Sequence, residues 1–257
     1  MGAVVVQGCS GLTALELPQL AAVESELDAS HNPGLQQVHF PALADVGTHT
    51  GTQAALSVVG NPVLALLEMP AFRQVATSAS TSNNTALAAL TLPALTTVGT
   101  SLTLSDNPAL AALSLPLLST VNGDIQLIHN SLLSALSFPK LGSVLGELRL
   151  KQDDSLVAVA FPHLTELAAG IAPDENAQLQ GALFPALEQA GSYLVVSHNP
   201  VLSTLDVPVL VPLVGDLAIH DTPAFPECRV AQVVAQLQPP PPSSVYSEFN
   251  DETANCP

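Results

Sequence analysis

Leucine recurs along this chain with a rhythm that fits neither a helix nor one continuous strand. Residues 102–118 read LTLSDNPALAALSLPLL: an apolar-polar alternation, an Asn-Pro, a second alternation, then another Pro. The alternation in LTLS has the two-residue period of a strand buried on one face. It returns in IQLI at 125–128, LRLK at 148–151, LVVS at 194–197 and LAIH at 217–220. A second short strand, such as LTL, LSL or LDV, ends at a proline, which lacks a backbone donor and belongs at a strand end.

These prolines set the register. Pro18, Pro41, Pro70, Pro93, Pro116, Pro139, Pro162, Pro185 and Pro208 are spaced by 23 residues, except for one step of 29. The extra residues fall within GTHTGTQ at 47–53. Fourteen residues beyond the prolines stands an Asn or a substitute: Asn32, Asn84, Asn107, Asn130, Asp153, Asn176, Asn199 and Thr222, with Asn61 displaced by the insertion. Two short strands and two turns in 23 residues leave no room for a long helix, and such a unit cannot bury its own Leu face. The pattern predicts an all-β, right-handed, β-helix-like solenoid of about nine coils stacked about 4.8 Å apart, with Leu and Val in interior columns. The Asn column, including Asn61, predicts a structural ladder whose side-chain amides satisfy turn backbone groups.

The periodicity changes after Pro226. In RVAQVVAQLQ at 229–238, Val230, Val233, Val234 and Leu237 have helical spacing; Pro226 suits the first turn and PPPP at 239–242 ends the helix. The chain therefore divides into a solenoid, 1–226, and a cap, 227–257, whose short amphipathic helix covers the last coil. Cys228 and Cys256 flank this cap, and a disulfide is expected between them, with Cys9 unpaired.

Charge and composition narrow the function. Twenty-two acidic residues against five basic ones give a net charge of −17, which repels phosphate backbones and anionic headgroups and argues against nucleic-acid or membrane-surface binding. No apolar run reaches the roughly 18 residues of a membrane helix, so no membrane insertion is expected. With no Trp and 4% aromatic residues, a core of Leu, Val and Ala is expected. The N-terminal MGAVVVQGC has Val6 where a myristoylation motif needs Ser or Thr, and no basic stretch precedes VQGC. Its start reads as a processed or internal boundary, with any signal peptide outside this chain.

The stretch SLTLSDNPALAALSLPLLSTVNGDIQLIHN, residues 101–130, resembles the receptor L-domain type of leucine-rich repeat of growth-factor receptor ectodomains and of secreted or wall-associated fungal and bacterial proteins. GCSGLTALELPQLAAV, residues 8–23, is similar to the bacterial BspA-type repeat, in which Cys often holds the Asn position; Cys9 stands before Pro18 as Asn32 does before Pro41. The resemblance covers residues 4–226 and implies an extracellular or cell-surface binding module for a protein or glycan partner, with no catalytic motif. ATSASTSNNTAL at 76–87 and AAGIAPDENAQL at 168–179 depart from the pattern. A monomer without cofactor or metal is expected.

The candidate contact residues point outward from the first strand of each coil: Ser80, Ser82, Thr103, Ser105, Gln126, Arg149 and Lys151. Small hydroxyls make a flat face, followed by Arg149 and Lys151, two of the five basic residues and a candidate anchor for an acidic partner, although Glu147, Asp153 and Asp154 offer ordinary surface pairing. His31, His129 and His198 share the position before the Asn, but three coils separate the last two by roughly 14 Å, so one metal ion cannot bridge them. Asp153, Asp154, Asp174 and Glu175, in neighbouring turns, are close enough to suggest calcium. No nucleophile elbow or other catalytic signature appears, and NNT at 83–85 is a glycosylation sequon. Two alternative functions carry less support: an ice- or crystal-surface binder, which wants a longer hydroxyl ladder, and a carbohydrate-active β-helix enzyme, which needs converging carboxylates and aromatic platforms.

Overall fold

The computed structural model describes residues 2–47, 54–211, 213–237, 244–254 and 256. The insertion at 47–53, apart from Gly47, and PPPP at 239–242 lie outside the described residues.

Each coil up to residue 190 carries three extended segments rather than the two expected. In one central coil they are Leu102–Ser105, Ala112–Ser114 and Thr120–Val121. The third is only two residues long, too short to show an alternation, yet Val121 is buried and stacks in register between Val98 and Val144. Equivalent segments of successive coils pair in parallel, as in Leu102↔Ile125 and Leu148↔Ile171. The first segments build one long eleven-stranded sheet, the third segments an eight-stranded sheet, and the second segments three separate three-stranded sheets. The expected β-solenoid is the fold.

The interior corrects the expected purely aliphatic core. The residue before each register proline points inward, and Phe40, Met69, Leu92, Leu115, Phe138, Phe161, Phe184 and Val207 are all buried. Phe138, Phe161 and Phe184 stack, with ring centroids 5.8 and 5.5 Å apart. A column repeats at nearly the coil spacing, which is also a favourable offset-stacking distance for aromatic rings. The Val-Gly that follows the proline has a steric cause: a Cβ on Gly99 would lie 1.8 Å from the Ala76 carbonyl oxygen of the preceding coil.

The Asn column is the ladder the pattern predicts, and the wiring is the same at each of its asparagines. Oδ1 of each residue accepts from the backbone N–H of the column residue one coil earlier: Asn32 to Asn61 at 3.0 Å, Asn61 to Asn84 at 3.1 Å, Asn84 to Asn107 at 3.0 Å. Nδ2 donates to the carbonyl three residues before that earlier position, as Asn107 does to Thr81 O at 2.9 Å and Asn130 to Leu104 O at 3.1 Å. All these side chains are fully buried.

The cap differs from expectation in two ways. Its helix spans Glu227–Gln236 with Pro226 as the N-cap rather than a first-turn residue, and Leu237 closes it. Val230, Val233 and Leu237 are buried against the last coil. The chain then returns to the long sheet, where Val245–Tyr246 pairs in parallel with Leu217 and Ala218. Asn250 occupies the next rung, with Nδ2 donating to Ile219 O at 2.7 Å and Oδ1 accepting from Thr222 Oγ1. The C-terminal segment is thus a helix plus part of a further coil. Cys228 and Cys256 lie at disulfide distance, with Cα atoms 5.9 Å apart, while Cys9 is unpaired and exposed.

Two stability outcomes follow. Asn107→Ala strips partners from the Asn84 N–H and the Thr81 carbonyl and should cost about 2–6 kcal/mol at about 1–3 kcal/mol per orphaned group; Asn107→Asp, which keeps the acceptor, should cost less, as read by urea unfolding. Cys228→Ser opens a loop spanning a sequence separation of 28 residues and should cost about 3 kcal/mol, with hydrogen exchange rising first in the helix and at 245–251.

Candidate functional site

The long sheet presents two outward columns. Strand register places Ser57, Ser80, Thr103, Gln126, Arg149 and Ala172 in one line. Ser105, Ile128, Lys151, Asp174, Ser197 and His220 form the next, with Val59 and Ser82 paired further along it. Six of the seven expected contact residues are accessible to some degree, and Ser82 is the exception. It is buried: its Oγ accepts from the Ser105 N–H at 3.3 Å and lies 3.3 Å from Ser80 Oγ. A small side chain between Val59 and Ser105 is shielded by its own neighbours, so Ser82 has no free hydroxyl to offer.

Arg149 and Lys151, adjacent in sequence pattern, have different surroundings. Lys151 Nζ donates to Asp174 Oδ2 at 2.6 Å and to Glu175 Oε1 at 2.8 Å. These bonds hold its ammonium above the usual lysine range and make it an internal clamp between coils rather than an anchor for a partner. Arg149 has no carboxylate within ion-pair distance among the described residues. Beside it lies Tyr193, which sequence reasoning did not single out. Tyr193 pairs with Gly170, and a Cβ there would meet the ring at 2.5 and 2.7 Å, so Gly170 is what lets the phenol lie back along the column. Burial and the Glu147 carboxylate push that phenol up to about 12, with Arg149 pulling the other way; it stays a neutral hydrogen-bond donor. The signal was the Gly in AAGI, read as a weak repeat.

A second group of chemistry-bearing residues runs along the turn edge. The residue just before each ladder position adopts a left-handed conformation: His31, Asn83, Asp106, His129, Gln152, Glu175, His198 and Asp221 have φ between 52° and 59°. Polar residues that tolerate this conformation therefore line up along the solenoid. His129 pairs with Asp106 at 3.0 Å. Further along, His198 Nδ1 lies 3.0 Å from Asp174 Oδ1 and His198 Nε2 3.6 Å from Asp221 Oδ2, while His220 Nδ1 lies 2.6 Å from Asp221 Oδ2. The Asp174 carboxyl is pushed up by burial, but hydrogen bonds from Lys151, Ser197 and His198 outweigh this and hold it below the usual carboxylate value. His220 was missed because it occupies the neighbouring sheet column. Its spacing of 22 from His198, one short of the period, was the available clue.

The four acidic residues suggested for calcium do not converge. Asp174 and Glu175 are bound to Lys151, and Asp153 lies fully buried in the Asn ladder. Its Oδ1 accepts from the Asn130 N–H at 2.9 Å and from Asn130 Nδ2 at 3.1 Å, but Oδ2 is buried with no partner. Every Asn of the column places a donor at that position, which faces the carbonyl three residues before the preceding rung. Here that carbonyl belongs to Leu127, so only a protonated Asp153 completes the wiring.

Comparison of the chain with protein-family models, with curated proteins and with solved structures finds no match.

Burial raises the Asp153 pKa to about 6 from 3.8, partly offset by the Asn130 hydrogen bonds. The folded chain therefore binds more protons than the unfolded one between those values, and stability falls as pH rises through that window. Above it the loss is about 2–3 kcal/mol. Asp153→Asn should regain most of this at pH 7.5 and nothing below pH 3.5, as measured by urea unfolding at both pH values.

Proposed function

We propose that this chain is a non-catalytic repeat module that binds a protein or glycan partner across the long sheet, with Arg149 and Tyr193 at the centre of the contact. The observation that carries this reading is a cation without a carboxylate partner among the described residues, close to a half-buried phenol, on a sheet face whose neighbouring coils carry Thr103 and Gln126 in register. Arg and Tyr are the residue types in which interface energy concentrates, and a guanidinium matches a carboxylate or a similar planar acceptor through paired hydrogen bonds. A net charge of −17 around this point favours a partner that brings one anionic group to Arg149 and neutral or basic groups elsewhere.

The remaining features support a secreted or surface-attached monomer. Cys228 and Cys256 at disulfide distance suit an oxidising compartment. The likeness to receptor L-domain and BspA-type leucine-rich repeats agrees with that placement and with a function that needs no cofactor. The hydroxyl row Ser57, Ser80 and Thr103 favours ice binding as a second reading. It is weakened by the burial of Ser82 and by the switch to Gln126 and Arg149 further along.

Glycan-array and extracellular-protein screening of the purified chain should yield a ligand whose affinity falls about 30-fold in Arg149→Glu and in Tyr193→Ala, the loss of a contact worth about 2 kcal/mol, while Thr103→Ala changes little. A ligand that binds both variants unchanged would place the contact on another face, and thermal hysteresis in the parent protein would favour the second reading.

A further inference from the structure

The strand register brings two imidazoles and a carboxylate of consecutive coils to one point. One ligand atom from each of His198, His220 and Asp221 lies within 4.8 Å of the others. We propose that these three residues bind a divalent first-row transition-metal ion, of which Zn2+ is the best match, bridging the last two regular coils beside the cap.

The donor set decides the class of ion. Two imidazole nitrogens and one carboxylate oxygen suit zinc and its neighbours in the series, whereas calcium and magnesium take oxygen ligands. Two ligands each about 2.0–2.1 Å from a tetrahedral ion stand roughly 3.4 Å apart. His198 Nε2 and Asp221 Oδ2, at 3.6 Å, are already near that separation. The shorter contact, His220 Nδ1 to Asp221 Oδ2 at 2.6 Å, is the hydrogen bond of the metal-free state. The ion replaces the Nδ1 proton, which moves to solvent or to Nε2 of the ring.

Orientation comes from outside the donor set. His198 Nδ1 donates to Asp174 Oδ1 at 3.0 Å, which leaves the Nε2 lone pair facing Asp221. Asp174 is itself held by Lys151 and by Ser197 Oγ at 2.8 Å. A carboxylate behind the imidazole is the usual support of a metal-ligating histidine. The His220 ring packs edge-on against His198 and Tyr246, with centroids 5.5 and 4.9 Å away. His198 and Asp221 occupy the same left-handed turn position in consecutive coils, each followed by a buried ladder residue. By contrast, His39 with Glu68 and His129 with Asp106 offer one imidazole each.

Three protein ligands leave a fourth coordination position, and His198, 53% exposed, opens it to solvent. Water or a carboxylate from a binding partner can occupy it. The inference is independent of the Arg149 and Tyr193 reading and stands if that one fails.

The test titrates Zn2+ into the full chain carrying Cys9→Ser, which removes the free thiol, at pH 7.5 by calorimetry, with Co2+ absorption as a second readout. One saturable equivalent is expected, unaffected by excess Ca2+. His198→Ala and His220→Ala should each weaken binding at least tenfold, and Asp174→Asn roughly 10–100-fold through loss of orientation; His129→Ala should leave it unchanged. Zn2+ should raise the melting temperature of the parent and not of His220→Ala. Asp221→Asn, which suits the left-handed turn, replaces any alanine variant that melts early and should also weaken binding. The proposal fails if no single saturable equivalent appears, or if His198→Ala, His220→Ala and Asp221→Asn bind as the parent does.

Discussion

The fold depends on one repeated hydrogen-bonding act: a buried side-chain amide that serves the backbone of the coil before it. Each turn would otherwise bury an N–H and a carbonyl without partners, at a cost of about 1–3 kcal/mol per group. An amide meets both needs with one group because it carries a donor and an acceptor. The wiring has a direction. Asn32 serves Cys9 N–H and Val6 O in the first coil, and each later asparagine of the column serves the coil before it in the same way. The last coil therefore needs a supplier from beyond itself, and Asn250 provides it. This requirement accounts for the path of the tail, which crosses the end of the solenoid as a helix and then comes back to the sheet.

The ladder also sets where surface chemistry collects. Turning the Asn inward requires the preceding residue to take the left-handed conformation, with its side chain outward. The residues that tolerate this conformation best are Gly, Asn, Asp and His. A structural demand thus deposits a row of titratable groups along one edge, each one coil spacing from the next. His129 beside Asp106, and His198 beside Asp221, follow from that spacing. The sheet face has no such demand: it carries small hydroxyls at Ser57, Ser80 and Thr103 and larger side chains at Gln126 and Arg149.

The solenoid, its register and the Asn ladder were legible because they repeat: a proline every 23 residues aligns every column without any three-dimensional information. The helix and the Cys228–Cys256 pair were legible for the opposite reason, as a break in the repeat. What escaped was of two kinds. Two-residue strands such as Thr120–Val121 are too short to carry a period. Relations between different columns, such as His198 with His220 or Lys151 with Asp174 and Glu175, are invisible when each column is read alone. Tyr193 illustrates the second kind. Its orientation depends on the missing side chain of Gly170 one coil away, a fact about packing rather than about either residue.

Asp153 marks where the chain departs from its own rule. Free energy in a solenoid is close to a sum of coil terms and nearest-neighbour interfaces, so a defect weakens the interface it sits in and little else. The affected interface lies between the coils of Asn130 and Asp153, where the ionised carboxyl keeps one hydrogen bond of the rung and loses the other. On its N-terminal side the sheet face carries Ser57, Ser80, Thr103 and Gln126. On its C-terminal side lie Arg149, Tyr193 and the histidine cluster, the last of these tied to Lys151 through Asp174. The rung at Asp153 therefore separates a stretch of sheet face with small and amide side chains from the stretch that holds Arg149, Tyr193 and His220. Because the clamp formed by Lys151 joins the next pair of coils, local opening at Asp153 leaves that second half intact. The polar network on the surface is thus placed where it preserves the geometry of the candidate sites, one coil beyond the defect.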